Sequence, residues 1–458
     1  MLSNKLKVSL VVLILMCAQI NFSYADVNIS ERRKQLIKEE SIVRENEKSV
    51  VTTIDEDANL DDYIKVGLKN NPGLRVAFYK WKSSFKKISK EFSLPDPQFT
   101  FTNYVESVET RVGPQERAFS IKQKLPLPDK LWIRKNKAFK ASEEAYHNFE
   151  KKQLDLIYLI SDVYYEYAYL NKAILLMEEN IKLLKNFESV AQARYKSALV
   201  KNQDLLKVQV ELGKLESDLY SLQDLRAPLA TRLNALLNLP KNNSLPWPNE
   251  SLEVSVMQDK YNEIENLYDI LKENNPELLA LFSQVEKIKD SLKLAKREYF
   301  PDLTVGFTQI DTGDALNPSL ADSGKDAQMV MFSVNVPIWV NRLNAGVQEA
   351  KASLKASENL LENKENELSS KLAMVHYKLR DALRQSELYK DALLPKATQT
   401  LNATQSGYEG GNVEFLSLID AQRVLLSFQL SYYRHNANFY QRLSELQSLL
   451  GEIQKDRE

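Results

Sequence analysis

The stretch LTVGFTQIDTGDALNPSLADSGKDAQMVMFSVNVPI, Leu303–Ile338, alternates on its way out and again on its way back. Leu303, Val305 and Phe307 share one face and Thr304, Gly306 and Thr308 the other, which is the period of two of a β-strand. On the return leg Val330, Phe332, Val334, Val336 and Ile338 lie together, opposite Met329, Met331, Ser333 and Asn335. The polar, Gly- and Pro-containing stretch Asp311–Asp326 reads as the loop between them. Pro97–Leu127 repeats the scheme, with Phe99, Phe101 and Val105 on one leg and Phe119, Ile121 and Leu125 on the other, opposite Ser120, Lys122 and Lys124. Two hairpins, 98–125 and 303–338, therefore interrupt a chain that is otherwise helical. Each leg comes close to the roughly 9 to 11 residues with which a tilted strand crosses a bilayer.

Around the hairpins, the 458 residues include only 12 Gly and are rich in Leu, Lys, Glu, Ala and Gln, a composition suited to long helices. The net charge of −1 gives no global attraction to nucleic acid. Lys5 and Lys7 precede an apolar core, Val8–Ile20, and Ser23-Tyr24-Ala25 offers small residues where a signal peptidase cuts. Residues 1–25 read as a secretory signal peptide cleaved after Ala25. Cys17 follows Met16, which is larger than the residue a lipoprotein signal places there; cleavage leaves no cysteine for a disulfide or a thiolate metal site. Residues 26–59 are charged and lack sustained apolar periodicity, and are expected to form a flexible N-terminal extension.

An internal duplication follows. Asn70-Asn71-Pro72 recurs as Asn274-Asn275-Pro276 and Pro97 as Pro301; farther on, Tyr195 matches Tyr408, Gln209 matches Gln422, and Leu236-Leu237 matches Leu449-Leu450. The first repeat is 60–238 and the second 263–451, each in the order helix, hairpin, long helix, helix. A connector, 239–262, carries Pro240, Pro246, Trp247 and Pro248, and a short tail, 452–458, ends the chain. The long helix of the first repeat spans roughly 65 residues, or about 97 Å, too long for one globular core. Its neighbours carry apolar stripes at heptad spacing: Leu205, Val208, Leu212, Leu215, Leu219 and Leu222, then Leu418, Ala421, Leu425, Phe428, Tyr432, His435 and Phe439. Four strands cannot close a membrane barrel, and lipid does not tolerate open sheet edges, so closure requires several copies. Two copies would supply eight strands and three would supply twelve, and the twelve-stranded barrel, wide enough to leave a lumen, is favoured. The expected fold class is mostly α with a small β part: a homotrimer whose 12-stranded barrel is continued by a helical barrel.

The duplicated plan, the two Asn-Asn-Pro motifs, the strand-end prolines and GYEGGNVEFLSLIDAQ at Gly407–Gln422 resemble the TolC family of outer-membrane efflux proteins, over almost all of the chain after Leu60. SIKQKLPLPDKL, Ser120–Leu131, resembles its CzcC- and CusC-like heavy-metal branch, with Asp129 where a glycine is usual. The resemblance implies a trimeric channel in the outer membrane of a Gram-negative bacterium with a large periplasmic part. It also implies two partners, a periplasmic adaptor protein and an inner-membrane pump of the RND type. It places adaptor contact and closing links at two helical tips: Arg194, Tyr195, Lys196 and Ala198 in the first repeat, and Tyr408, Glu409, Gly410 and Gly411 in the second. Asp420 matches one of two acidic positions that ring the entrance in this family, and the other is occupied by Ser417. Three Asp420 carboxylates around one axis would attract cations and repel one another. Glu414 is an alternative lining residue.

Catalysis finds little footing. His147, His376 and His435 are far apart in sequence and none has a second ligand at helical spacing. No phosphate-cradling glycine loop, nucleophile elbow or paired-Cys motif is present. No enzyme activity, cofactor or metal is expected. The function expected is passive conduction through an efflux channel that the adaptor opens and the pump drives, exporting heavy metals or drugs. The alternatives are the outer-membrane channel of a type I protein secretion system and a structural periplasmic coiled-coil protein. A periplasmic adaptor would need the Gly-rich β-modules of a lipoyl-like domain, which the sequence lacks.

Overall fold

The computed structural model describes residues 27–196, 202–248, 252–254, 259–317 and 319–452. The expected signal peptide (1–25), Ala198 and the tail beyond Glu452 lie outside the described residues. In chain order the elements are α1 (Val27–Lys48), α2 (Leu60–Asn70), α3 (Pro72–Phe92), β1 (Gln98–Val108), β2 (Gln115–Leu125), α4 (Pro128–Lys196) and α5 (Asn202–Leu237). A short 3-10 turn, Asp259–Tyr261, leads to α6 (Ile264–Asn274), α7 (Pro276–Arg297), β3 (Leu303–Thr312), β4 (Ala327–Val334), α8 (Val340–Leu388), a π-turn (Tyr389–Leu393), α9 (Leu394–Glu409) and α10 (Phe415–Leu449). Chain contacts divide into two compact units, one of residues 1–38, 80–146 and 280–361, the other of 39–79, 147–279 and 362–458.

The first unit holds the sheet, whose strand order is β1-β2-β3-β4 with every neighbour antiparallel. Register lines up the apolar alternation across all four strands: Phe99 pairs with Ile121, Ile121 with Phe307 and Phe307 with Val330. Two rows along on the same face, Leu125 pairs with Leu303 and Leu303 with Val334. One face is thus mostly apolar, with Gln123, Gln309 and Gln328 set among the apolar residues, and Phe99, Phe101 and Phe332 on it are 69%, 52% and 71% exposed, an inversion of the usual rule for a sheet in water. The opposite face carries Thr100, Ser120, Lys122, Lys124, Thr304, Thr308 and Ser333. β1 and β4 are open edges. The return strand stops at Val334 rather than running to Ile338. Asn335 still donates its N–H to the Asp302 carbonyl at 3.4 Å, and then Pro337, with no N–H, ends the ladder. The two loops bond to each other through Gly313 N–H to the Pro114 carbonyl and Gly324 N–H to the Val112 carbonyl, both 2.8 Å. At Gly113, φ is 131° and an added Cβ would meet the Gly313 carbonyl oxygen, so only glycine fits.

At the base of the sheet Lys130, 4% exposed, donates to Asp302 Oδ1 at 2.8 Å and to the Phe300 carbonyl at 2.7 Å, while Lys124 reaches Asp302 at 3.1 Å. Asp129, in the first turn of α4, pairs with Arg297 at 2.8 Å. The carboxylate that stands where the branch pattern has glycine thus anchors α4 to the end of α7.

The expected flexible extension is a correction, because Val27–Lys48 is a helix. Its apolar residues are few, and it is held instead by polar contacts. Within the first unit Arg32 forks onto Glu143, with Nε at 2.6 Å and a second nitrogen at 3.0 Å, and lies 3.7 Å from the centre of the Tyr146 ring. Gln35 hydrogen-bonds the Tyr146 hydroxyl, and Leu36 is buried.

In the second unit the Asn-Asn-Pro motifs do the same work twice. The helical pattern from Leu60 to Phe92, and that from Ile264 to Tyr299, are each broken at the Asn-Pro step. Proline pushes the preceding residue out of the α region, and Asn71 and Asn275 have ψ of 118°. Asn71 Oδ1 accepts from the Leu74 N–H at 3.2 Å while its Nδ2 donates to the Leu236 carbonyl at 2.9 Å. Asn275 Oδ1 accepts from the N–H groups of Glu277 at 2.9 Å and Leu278 at 3.1 Å, and its Nδ2 donates to the Leu449 carbonyl at 2.8 Å. Each asparagine caps the start of one helix and holds the end of another. The helices so held terminate alike, in the left-handed residues Asn238 (φ 53°) and Gly451 (φ 71°). The next N–H then turns back, Leu239 to Asn234 at 2.8 Å and Glu452 to Gln447 at 3.0 Å.

The heptad stripes meet here. Val208, Leu212 and Leu215 bury against Leu184, Phe187 and Ala191 of α4 and against Leu418, Ala421 and Leu426 of α10. In the connector Trp247 stacks on Tyr167 at 4.6 Å under the Arg226 guanidinium at 4.2 Å. The second long helix runs from Val340 to Glu409, and it is interrupted. Pro395 has no N–H to give the preceding turn, and the backbone widens into a π-turn just before it.

Candidate functional site

The second tip is built by the end of α9. Gly411 adopts φ of 79°, and the Asn412 N–H turns back to the Gly407 carbonyl at 2.8 Å. This is a left-handed helix stop, which glycine accepts without strain. A Cβ on Gly407 would lie 2.5 Å from Val413, so the close return of the chain also needs a glycine there.

Arg194, near the end of α4, reaches across to this stop. Its guanidinium donates to the Tyr408 carbonyl at 2.6 Å and the Glu409 carbonyl at 2.5 Å and lies 4.7 Å from the centre of the Tyr408 ring. These are carbonyls at the last turn of α9, where a cation also meets the negative end of the helix dipole. Tyr408 is 3% exposed, packed on Phe415 with ring centres 5.2 Å apart, and burial pushes its hydroxyl above the ordinary tyrosine range although Arg194 pulls the other way. Tyr195, Lys196 and Glu409 are exposed, and Glu409 accepts a 3.0 Å bond from Gln405. Gly410 continues the helical conformation before Gly411 turns it.

Glu414, the residue just before α10, and Ser417 and Asp420 on it step by three, and all are exposed. Asp420 is not a free carboxylate: Arg423, one turn on, bonds it at 3.2 Å and simultaneously bonds Glu211 of α5 at 2.5 Å. Glu211 is 3% exposed, and the hydrogen bond from Arg423 outweighs burial and holds its carboxyl below the ordinary range. Beside this bridge the fully buried Gln422 donates to Asn180 Oδ1 at 2.7 Å. Sequence reasoning singled out Arg194, Tyr408 and Asp420 but missed Glu211, Arg423 and Asn180. The Asp420–Arg423 spacing of three was legible; the partners on α4 and α5 are too far away in sequence to be.

The histidines are not brought together. His376 bonds the Tyr261 carbonyl at 2.9 Å, His435 stacks on Tyr389 at 5.5 Å and His147 lies 2.8 Å from Glu150. Among the described residues no three His, Cys, Asp or Glu side chains are placed to hold a metal ion.

The model of the family described as outer membrane efflux protein matches residues 267–452, the second repeat. The chain is 22% identical over 293 residues to the cobalt-zinc-cadmium resistance protein CzcC of Cupriavidus metallidurans, covering 61% of this chain and 65% of that one. It is 24% identical over 195 residues to the toxin and drug export protein A of Aggregatibacter actinomycetemcomitans, covering 41% of each. The chain therefore spans less than two thirds of the length of these relatives. Its fold matches the solved structure of CusC with a TM-score of 0.72 at 15% identity, over 88% of this chain and 94% of that one. Hairpins with one exposed apolar face, a repeat built twice on the same asparagine, and these matches agree: residues 267–452 are similar to the outer membrane efflux proteins, and the fold of the chain is that of CusC.

Proposed function

We propose that this protein is the outer-membrane channel of a tripartite efflux system, a passive conduit that three copies form together. The observation that carries the reading is the sheet: apolar and exposed on one side, polar on the other, with both edges open. Such a sheet is stable in lipid only when its edges are closed, and the antiparallel order lets β4 of one copy meet β1 of the next. The polar face then lines the lumen. The helical tips form the periplasmic entrance, held by Arg194 on the Tyr408 and Glu409 carbonyls. An adaptor opens it by taking over the exposed contacts of Tyr195, Lys196 and Gly410, and an inner-membrane pump, of the RND type, supplies the energy.

Heavy-metal export is the favoured cargo class, supported by the Ser120–Leu131 motif and by the cobalt-zinc-cadmium resistance relative. Export of a polypeptide is the second reading, supported by the toxin and drug export relative. Asp420, with Ser417 and Glu414 on the same exposed strip, is the proposed gate, and its pairing to Arg423 makes the ring weaker than three bare carboxylates. The protein is read as a conduit and not as an enzyme.

The test is conductance of the purified full chain in planar bilayers. Wild type should give small, mostly closed channels; Arg194→Ala should raise the open fraction severalfold, and Asp420→Ala should relieve block by divalent cations. A protein that migrates as a detergent-independent monomer and forms no channels would end the reading.

A further inference from the structure

A cleft of 220 Å³ in the first unit lies between α3, α4 and α7. Lys87, Arg134, Lys137 and Lys287 line it, and the one acidic residue in the lining is Glu91. Lys287 is engaged by Glu144 at 2.5 Å. Lys87, Arg134 and Lys137 have no ion pair among the described residues. Cations gathered in a concave site repel one another and concentrate anions, so an arrangement of this kind is most favourable with an anion in it.

The side of the wall on which the cleft opens follows from Lys130. Residues four, seven and eleven apart share a helix face, so Lys130, Arg134, Lys137 and Ala141 lie together on α4. Lys130 points to Asp302, which Lys124 also contacts from the polar face of the sheet. The basic stripe therefore continues the polar face, through Lys122 and Lys124, and not the apolar one. Arg134 supplies a planar fork and the lysines flexible point charges, the combination suited to an oxyanion.

We propose that this cleft is a binding site for small oxyanions, taking the phosphate or carboxylate group of a solute. Resting on the conduit reading, it is a basic station inside the lumen next to the sheet, through which anionic or anion-complexed cargo would pass. Its charge is opposite to that of the Asp420 strip.

Calorimetric titration of the purified full chain in detergent with sodium pyrophosphate tests binding without requiring conduction. Wild type is expected to release binding heat. Arg134→Gln with Lys137→Gln should weaken binding about tenfold or more, since two charge-assisted hydrogen bonds are removed. The charge-conserving pair Arg134→Lys with Lys137→Arg should retain most of it, and Lys140→Gln, off the stripe, should leave it unchanged. Absence of heat with wild type, or equal affinity in the Gln pair, would overturn the proposal. Pyrophosphate should also reduce the bilayer current of wild type and not of the Gln pair. Binding heat from a protein that forms no channels would leave the site standing and remove the conduit, whereas channels without binding heat would do the reverse.

Discussion

Asp302 sits between two lysines, 2.8 Å from Lys130 and 3.1 Å from Lys124. Burial alone would raise its carboxyl, but the hydrogen bonds from Lys130 and Lys124 hold it below the ordinary 3.8. Because the folded state holds this proton less tightly than the unfolded chain, the contribution to stability is full above the unfolded value and is lost as pH falls through the lower folded one. Asp302→Asn should therefore flatten the acid sensitivity of stability below about pH 4. It should also cost about 3 kcal/mol at neutral pH, because Lys130 is left buried without its carboxylate. Tryptophan-fluorescence unfolding midpoints at stepped pH check both; an unchanged acid slope would refute the assignment. Nothing in the sequence marks Asp302, whose partners come from another strand and another helix. Asn71 and Asn275 are the opposite case, since their recurrence was plain while their bonds to Leu236 and Leu449 were not.

Among the elements, those with a strict period were legible and those held by polar contacts were not. Alternation found all four strands, and heptads found the stripes of α5 and α10, though not the residues of α4 that they meet. α1 escaped because its hold on the first unit rests on a guanidinium fork, a cation over a ring, one buried leucine and the half-buried Ile29, too few apolar residues to leave a sustained periodic trace. Arg32→Ala should loosen that helix by about 1 to 3 kcal/mol, because the substitution removes both the charged fork onto Glu143 and the cation over the Tyr146 ring. Limited trypsin digestion, followed by N-terminal sequencing, should then show faster cleavage at Lys34 and Lys38; an unaltered rate would mean that α1 is secured elsewhere. The π-turn at Tyr389–Leu393 was likewise invisible except for Pro395, which announces a disturbed ladder but not its form.

For the whole molecule, the decisive property is which medium each face of the sheet can accept. Phe332 and Ser333 are adjacent and point to opposite sides. Phe332→Arg should destabilise insertion by about 2 to 4 kcal/mol if it faces the bilayer midplane. Ser333→Arg, on the polar side, should insert normally. Refolding into phospholipid vesicles, read as the protected fraction after protease treatment, separates the two, and equal behaviour would assign the faces wrongly. The asparagine knots carry a further implication. In each half the beginning and the finish of the helical run are fastened to each other by one amide side chain, so that half is a closed circuit with its ends side by side. A gene segment encoding such a circuit can be copied in tandem with only a short splice between copies. Leu239–Asn262 is the length of chain that lies at that splice.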